Sequence, residues 1–268
     1  MYYVISAAGL YLLGWFLFGY YRKANAPGSI LAFHSVNDKP GLSITRNTTS
    51  GFESILQYLL AIGSRGTSLA RQNDEHAIAL TFDDGWADFY ANALPLLMKY
   101  DFTATVFVVT DYIGRTSAWD YQKRQHLNWE QLEKLVDHGF EIGSHGATHC
   151  DLRGLDESRL EYEIAGSMKL LEDKLGISVR RFSYPFGRYN DRVIGAVKRA
   201  GYTNAYALSS GAGDYAIARH GVYLYDTPYS IYLKLVKHSP WELSKDYLNN
   251  SLAGGTIALR KLFPAKRG

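Results

Sequence analysis

The sequence predicts an α/β fold built on a parallel sheet, either a barrel or an open sheet. Strand-like and helix-like stretches alternate from residue 30 to residue 210. Several of the helical stretches close on a glycine, the usual stop signal. Chemistry-bearing side chains gather directly after the strand-like runs, where parallel α/β folds collect function.

Taken in order, ANAPGS (24–29) has linker composition, and ILAFHSV (30–36) is a short apolar run of buried-strand type. Residues 51–63 have helical periodicity and end on Gly63. AIALTF (77–82) reads as a strand, and 86–100 as a helix that the internal Pro95 should bend. TATVFVV (103–109) is a β-branched strand. Residues 129–139 form an amphipathic helix closed by Gly139, followed by a short strand, FEIGSH (140–145). A long charged helix over 156–175 closes on Gly176. RRFSYPFG (180–187), a helix at 190–200 and NAYALSS (204–210) continue the alternation. Residues 231–268 differ, with helical patches, paired asparagines and glycines and a basic end, and read as an appended tail. Three units result: a hydrophobic N-terminal helix with the start of a linker (1–24), a globular α/β domain (25–230) and the tail (231–268).

At 268 residues with 47% hydrophobic and 21% charged residues, the chain is globular in composition. A net charge of +3 without a dense basic block argues against a nucleic-acid partner. Cys150 is the only cysteine, which excludes an intrachain disulfide, and it reads as a buried thiol. Residues 1–21 carry no charged side chain and precede Arg22 and Lys23. That is the length of a membrane span, with Tyr2, Tyr3, Tyr20 and Tyr21 placed like interfacial anchors. Lacking a basic leader and a small-residue cleavage site, the segment is expected to be an uncleaved anchor. By the positive-inside rule, Arg22 and Lys23 favour a cytoplasmic globular part.

LTFDDGW (80–86) ends a strand on two adjacent carboxylates and then turns on glycine. Like charges this close repel, which either a helix cap or a cation would relieve. SHGATH (144–149) follows another strand and offers His145 and His149. Two histidines and one carboxylate make three ligands, leaving a position for water as in catalytic zinc sites. The other aspartate is then free to act as a base. A two-metal phosphoesterase would need more ligands than the sequence offers. His34, His76, His126 and His138 read as structural.

TFDDGW, SHGATH and FSYPFGRYN, in that order, closely resemble the leading motifs of the polysaccharide deacetylases with NodB homology; LNWEQL (127–132) is also similar, and the resemblance spans about residues 30–225. It implies a distorted (β/α) barrel of about seven strands and a metal-dependent hydrolase that removes N- or O-acetyl groups from sugars. Carried over by position, Asp83 is the base, and Asp84, His145 and His149 hold one divalent ion. Zinc is expected first, with cobalt, nickel or iron also suited to the donor set. Tyr184, Pro185, Phe186 and Gly187 are expected along the substrate groove, with the Tyr184 backbone N–H as oxyanion donor. The chain departs from the family in two places. Ser183 stands where many members have an arginine beside the base, so Arg219 is the expected replacement, with Arg181 behind it. The late leucine–histidine motif that supplies the acid is indistinct, and His220 is the residue expected to serve. The resemblance favours an extracytoplasmic location, against the vote of Arg22 and Lys23. Two other readings are a deacetylase or deformylase of a lipid-linked sugar in the same membrane, and an inactive glycan-binding barrel. Protein partners are not indicated.

Overall fold

A computed structural model describes residues 30–249, apart from 42, 73–76, 118–122, 209–210, 212, 236–238, 240, 243 and 247. The proposed anchor, His76 and the basic end of the tail lie outside the described residues. Among the described residues, no helix is long and apolar enough to cross a membrane.

The strands are β1 (Ile30–Phe33), β2 (Ser35–Val36), β3 (Arg46–Asn47), β4 (Arg65–Thr67), β5 (Ala77–Phe82), β6 (Thr105–Val108), β7 (Thr116–Ser117), β8 (Arg124–Gln125), β9 (Glu141–Ser144), β10 (Arg181–Ser183), β11 (Asn204–Leu208) and β12 (Ile217–Gly221). Seven of them close a parallel barrel in the order β1-β12-β11-β10-β9-β6-β5, and β1 pairs with β5 to seal it. The short β4 pairs with the first half of β5. The open choice between barrel and sheet is thus resolved as a barrel.

Alternate strand residues face opposite sides, and the packing sorts them cleanly. Ile30, Ala79, Phe107 and Tyr206, together with Leu69, form an apolar cluster separate from the larger core, inside the ring. The intervening residues Leu31, Phe33, Leu80, Phe82, Val106, Val108, Ile142 and Phe182 belong to the larger core between the strands and the outer helices. Phe33 stacks on Phe82 at 5.1 Å and meets Phe52 of the helix Thr49–Ala61 edge-on at 5.2 Å. Gly143 keeps the lumen passable: a Cβ there would lie 2.5 Å from the Phe107 ring.

Two helices contain π-turns. The bend expected at Pro95 is taken up by a π-turn over Phe89–Ala93, where Leu94 N–H bonds Phe89 C=O just before the proline, which has no N–H to give. The long helix runs as Glu157–Glu161, a π-turn Tyr162–Gly166, and Ser167–Leu175.

The boundary expected at residue 230 is corrected. It cuts the helix Pro228–Leu235, whose Ile231 is in the core and whose Lys234 is fully buried. Lys234 Nζ donates to Gly221 C=O (2.6 Å) and Asp226 (2.7 Å) and lies 3.0 Å from Asp246. Burial opposes its charge, but Asp246 and Asp226 outweigh that and raise its pKa. The first part of the expected tail is therefore domain structure. Lys234→Met leaves two buried carboxylates without their cation, and should lower unfolding stability by about 3–5 kcal/mol in a urea titration.

Candidate active site

The inward-facing positions of the barrel carry the site. On β5 the inward series Ala79, Thr81 runs on to Asp83, on β9 Gly143 to His145, on β10 Arg181 to Ser183, and on β12 Ile217 to Arg219. All of these approach the end of the barrel where the parallel strands finish.

Arg219 is fully buried and grips Asp83 with both arms, Nη1 to Oδ1 and Nη2 to Oδ2, each at 2.8 Å. Its fork also donates to Thr81 Oγ1 (3.0 Å) and Ser183 Oγ (2.8 Å). Ser183 in turn donates to Asp83 Oδ2 at 3.2 Å. The serine at the position of the missing arginine thus becomes a bridge between the base and an arginine from another strand. Burial alone would raise the Asp83 carboxyl, but Arg219, then His145 and His34, hold it well below the usual carboxylate range. Arg181 lies lower in the barrel, 3.5 Å from Glu141, and is not the partner of the base.

Asp84 adopts a left-handed backbone (φ 73), and Gly85 follows at φ 67. The pair of reversals turns the Asp84 carboxylate toward the loop after β9. A side chain at Gly85 would press on Val108, its Cβ 2.9 Å from that side chain and 3.2 Å from its Cα. Two aromatic residues hold the strained aspartate. Trp86 Nε1–H donates to Asp84 Oδ2 (2.9 Å), and His126 Nδ1 bonds the Asp84 carbonyl (3.0 Å). His126 reads Ser117 through its other nitrogen (2.6 Å), and burial holds its pKa down at about 4, so it is neutral with its proton on Nδ1. His126 is structural in this specific sense.

Asp84 Oδ1 faces His145 Nε2 at 3.6 Å and His149 Nε2 at 3.3 Å. His145 Nδ1 bonds the Ser183 carbonyl at 2.7 Å, which fixes the tautomer and leaves the Nε2 lone pair facing Asp84. The three donor atoms lie within 4.8 Å of one another, and all three residues are buried. A carboxylate oxygen and two imidazole nitrogens converging in this way fit one divalent cation with room for further ligands.

The loop that carries both histidines is held from behind by Glu163, which the π-turn delivers and which the sequence did not single out. Its fully buried carboxylate accepts from Ala147 N–H (2.9 Å), Thr148 N–H (2.8 Å) and Thr148 Oγ1–H (2.5 Å). Cys150 lies outside the donor cluster, and burial, with the Glu163 charge, pushes its thiol up to about 11.

The sequence reads His34 as structural, yet it continues the inward series of β1, Ile30 and Ala32. Its ring feels the charges of Asp83, His145 and Arg219, and burial pushes it down to about 4. Its Nδ1 is covered and has no hydrogen-bond partner. The next residues are anchored to the helix that follows the aspartates: Ser35 Oγ donates to Asp88 Oδ2 (2.6 Å) and Asn37 Nδ2 to the same oxygen (2.9 Å). One segment therefore carries the aspartate pair and also fixes the turn beyond His34.

Two expectations are corrected. His220 alternates with Arg219 and faces out of the barrel, with Nδ1 3.8 Å from Asp246, so it cannot reach the site as an acid. The Tyr184 N–H is committed to the Tyr206 carbonyl at 3.0 Å, and its buried side chain bonds the Tyr215 carbonyl, so it is no oxyanion donor. Within 184–187, Phe186 lines the groove. Its backbone is left-handed (φ 59), and its ring lies 4.5 Å from that of His149. The groove opens beside His149 and Phe186 with a volume of about 910 Å³, and is lined further by Asp151, Arg153, Tyr189 and Asn190.

The model for the family described as polysaccharide deacetylase matches residues 70–205. The chain belongs to the polysaccharide deacetylase family. It is a carbohydrate deacetylase, a hydrolase acting on acetylated sugars. Among its relatives is YxkH of Bacillus subtilis (strain 168), assigned as a polysaccharide deacetylase. The two are 32% identical over 204 residues, covering 71% of this chain and 69% of that protein. The poly-β-1,6-N-acetyl-D-glucosamine N-deacetylase of Staphylococcus aureus is 24% identical over 221 residues, 74% of each chain. Among solved structures, BC0361, a polysaccharide deacetylase from Bacillus cereus, matches with a TM-score of 0.66 at 25% identity, over 76% of this chain and 67% of that one. The Streptococcus pyogenes deacetylase PplD in complex with acetate shares the fold with a TM-score of 0.69 at 22% identity, over 78% and 98% of the two chains.

Arg219→Met leaves Asp83 buried without its counter-charge. The substitution should cost about 3–5 kcal/mol of stability, read from the urea midpoint.

Proposed function

We propose that this deacetylase hydrolyses the N-acetyl amide of a glycan containing N-acetylglucosamine, with Asp83 as base, His34 as acid and Asp84, His145 and His149 holding one divalent cation. The observation that carries this reading is the buried, ionised Asp83 one residue from the three-donor cluster. A glycan-binding barrel has no use for a base in that position. The polymer acted on by the S. aureus relatives supports a hexosamine glycan as substrate.

Zinc suits the His₂Asp set, and cobalt, nickel or iron are compatible with it. When bound, the cation polarises the amide carbonyl and makes nearby water more acidic. Asp83, fixed by Arg219, accepts a proton from the attacking water as the new C–O bond forms. Phe186 supplies the next backbone N–H after Tyr184, because Pro185 has none, and this donor is assigned to the developing oxyanion. His34 is neutral at rest, so the proton it delivers is the one released by water and relayed through Asp83. It goes to the leaving nitrogen as the C–N bond breaks, giving a free amine and acetic acid, which carries the second proton of the water and ionises on release. An O-acetyl ester would follow the same course with an alcohol as leaving group.

Acetate release from N-acetylglucosamine oligomers, followed by mass spectrometry with added zinc or cobalt, tests the reading. Loss of acetyl mass should vanish with a chelator and in Asp83→Asn. His34→Gln should lower kcat by about 10²–10⁴-fold with bound metal unchanged; an unchanged kcat would remove His34 from the acid role.

Residues 1–21 are proposed as a membrane anchor, on their uncharged span-length composition. An anchor would also suit a lipid-linked sugar in the same membrane as substrate. The full chain should sediment with membranes and resist alkaline extraction, whereas residues 25–268 should not; protease treatment of sealed vesicles then reports the side.

A further inference from the structure

A second cavity, of about 330 Å³, lies behind the histidine loop and shares no lining residue with the catalytic groove. Trp129 and Tyr162 give it aromatic surface, Ile113 an apolar patch, and Asp111, Arg115 and Lys174 its charges. The volume is at the lower end for small-molecule sites, roughly 300–1,000 Å³, the size class of a single sugar ring.

Tyr162 is the telling residue. It is a large aromatic left 45% exposed on an outer helix, yet it is held in place twice. Its hydroxyl donates to Asp111 at 2.8 Å, and the Arg159 guanidinium lies over its ring at 5.0 Å. A surface tyrosine fixed in this way loses little side-chain freedom when a ligand packs on it. Aromatic surface beside hydrogen-bonding charges matches a pyranose, which has apolar C–H faces and a polar rim.

The cavity wall also adjoins the site. Thr110 N–H and Asp111 N–H bond the Gly146 and Ala147 carbonyls of the histidine loop (3.1 and 2.9 Å), and Tyr162 immediately precedes Glu163, which holds the same loop.

We propose that this cavity is a secondary glycan site that holds an N-acetylhexosamine unit of the substrate polymer outside the catalytic groove. The proposal rests on the carbohydrate reading of the catalytic site. It also has a direction. Arg115 and Lys174 outnumber Asp111, so the cavity repels the ammonium of a deacetylated unit and accepts the neutral acetylated one. Substrate is retained and product released.

Hydrogen exchange of the full chain, with and without an N-acetylglucosamine tetramer, tests this. The tetramer should protect residues 110–116 and 160–170 as well as the groove segments 148–155 and 186–190. A glucosamine tetramer should leave 110–116 unprotected. Tyr162→Ala should lose the 110–116 protection, keep that of the groove, and raise KM for the tetramer several-fold with kcat unchanged. Protection of the groove alone, unaffected by Tyr162→Ala, would overturn the second site and leave the catalytic reading standing. Protection of neither region by the tetramer would overturn both.

Discussion

Everything at the catalytic end of the barrel is arranged around one buried ion pair, Arg219 with Asp83. An ionised carboxylate inside a protein is tolerated only when charge and hydrogen bonds meet it from close range. Here the guanidinium arrives from β12, Thr81 from β5 and Asp83 from just beyond its end, and the Ser183 hydroxyl from β10. The pair ties three strands of the ring together at the level where chemistry is placed. It also decides which carboxylate does what: Asp83 is held by the barrel, with Oδ1 taking a single donor, so Asp84 is the one left to turn toward the histidines.

That division of labour requires unusual backbone. Among the described residues, four that are not glycine have positive φ, and three of them, Asp84, His149 and Phe186, surround the donor cluster. Each such residue costs on the order of 1–2 kcal/mol, and each is over-determined by its neighbours. Trp86 and His126 hold Asp84, Glu163 holds the loop leading to His149, and the His149 ring packs on Phe186. The strain sits where convergence of donors is required and is offset by these contacts.

The sequence made the donors legible because they come as contiguous motifs after strand-like runs. Asp83, Asp84, His145 and His149 needed no tertiary knowledge. Arg219 could be located because the sheet had to return near Asp83. The residues missed are those whose meaning is set by direction. His34 and His220 are both strand histidines, and only the alternation of facing separates them: counting in twos from Ile30 reaches His34 inside, and counting from Arg219 leaves His220 outside. Glu163 was illegible for a different reason. A glutamate in a charged helix reads as solvated surface, and only the π-turn rotates it under the histidine loop. The sequence does not show that the Tyr184 N–H has a sheet partner, Tyr206, because that bond depends on the pairing of β10 with β11.

β1 occupies a special place in the ring. Leu31 pairs with Leu80 on one side and with His220 on the other, so the strand that leads to His34 is also the seam of the barrel. The first contact is local enough to form early, while the second joins the two ends of the described chain. Closing so long a loop carries a high entropic cost before any contact rewards it, which makes closure a late event in folding. Until residue 220 is available, β1 presents an open edge, and the lumen lacks the guanidinium that neutralises Asp83. During synthesis the nascent barrel is therefore both unsealed and electrostatically unfinished, and it gains a competent base only when its last strand arrives.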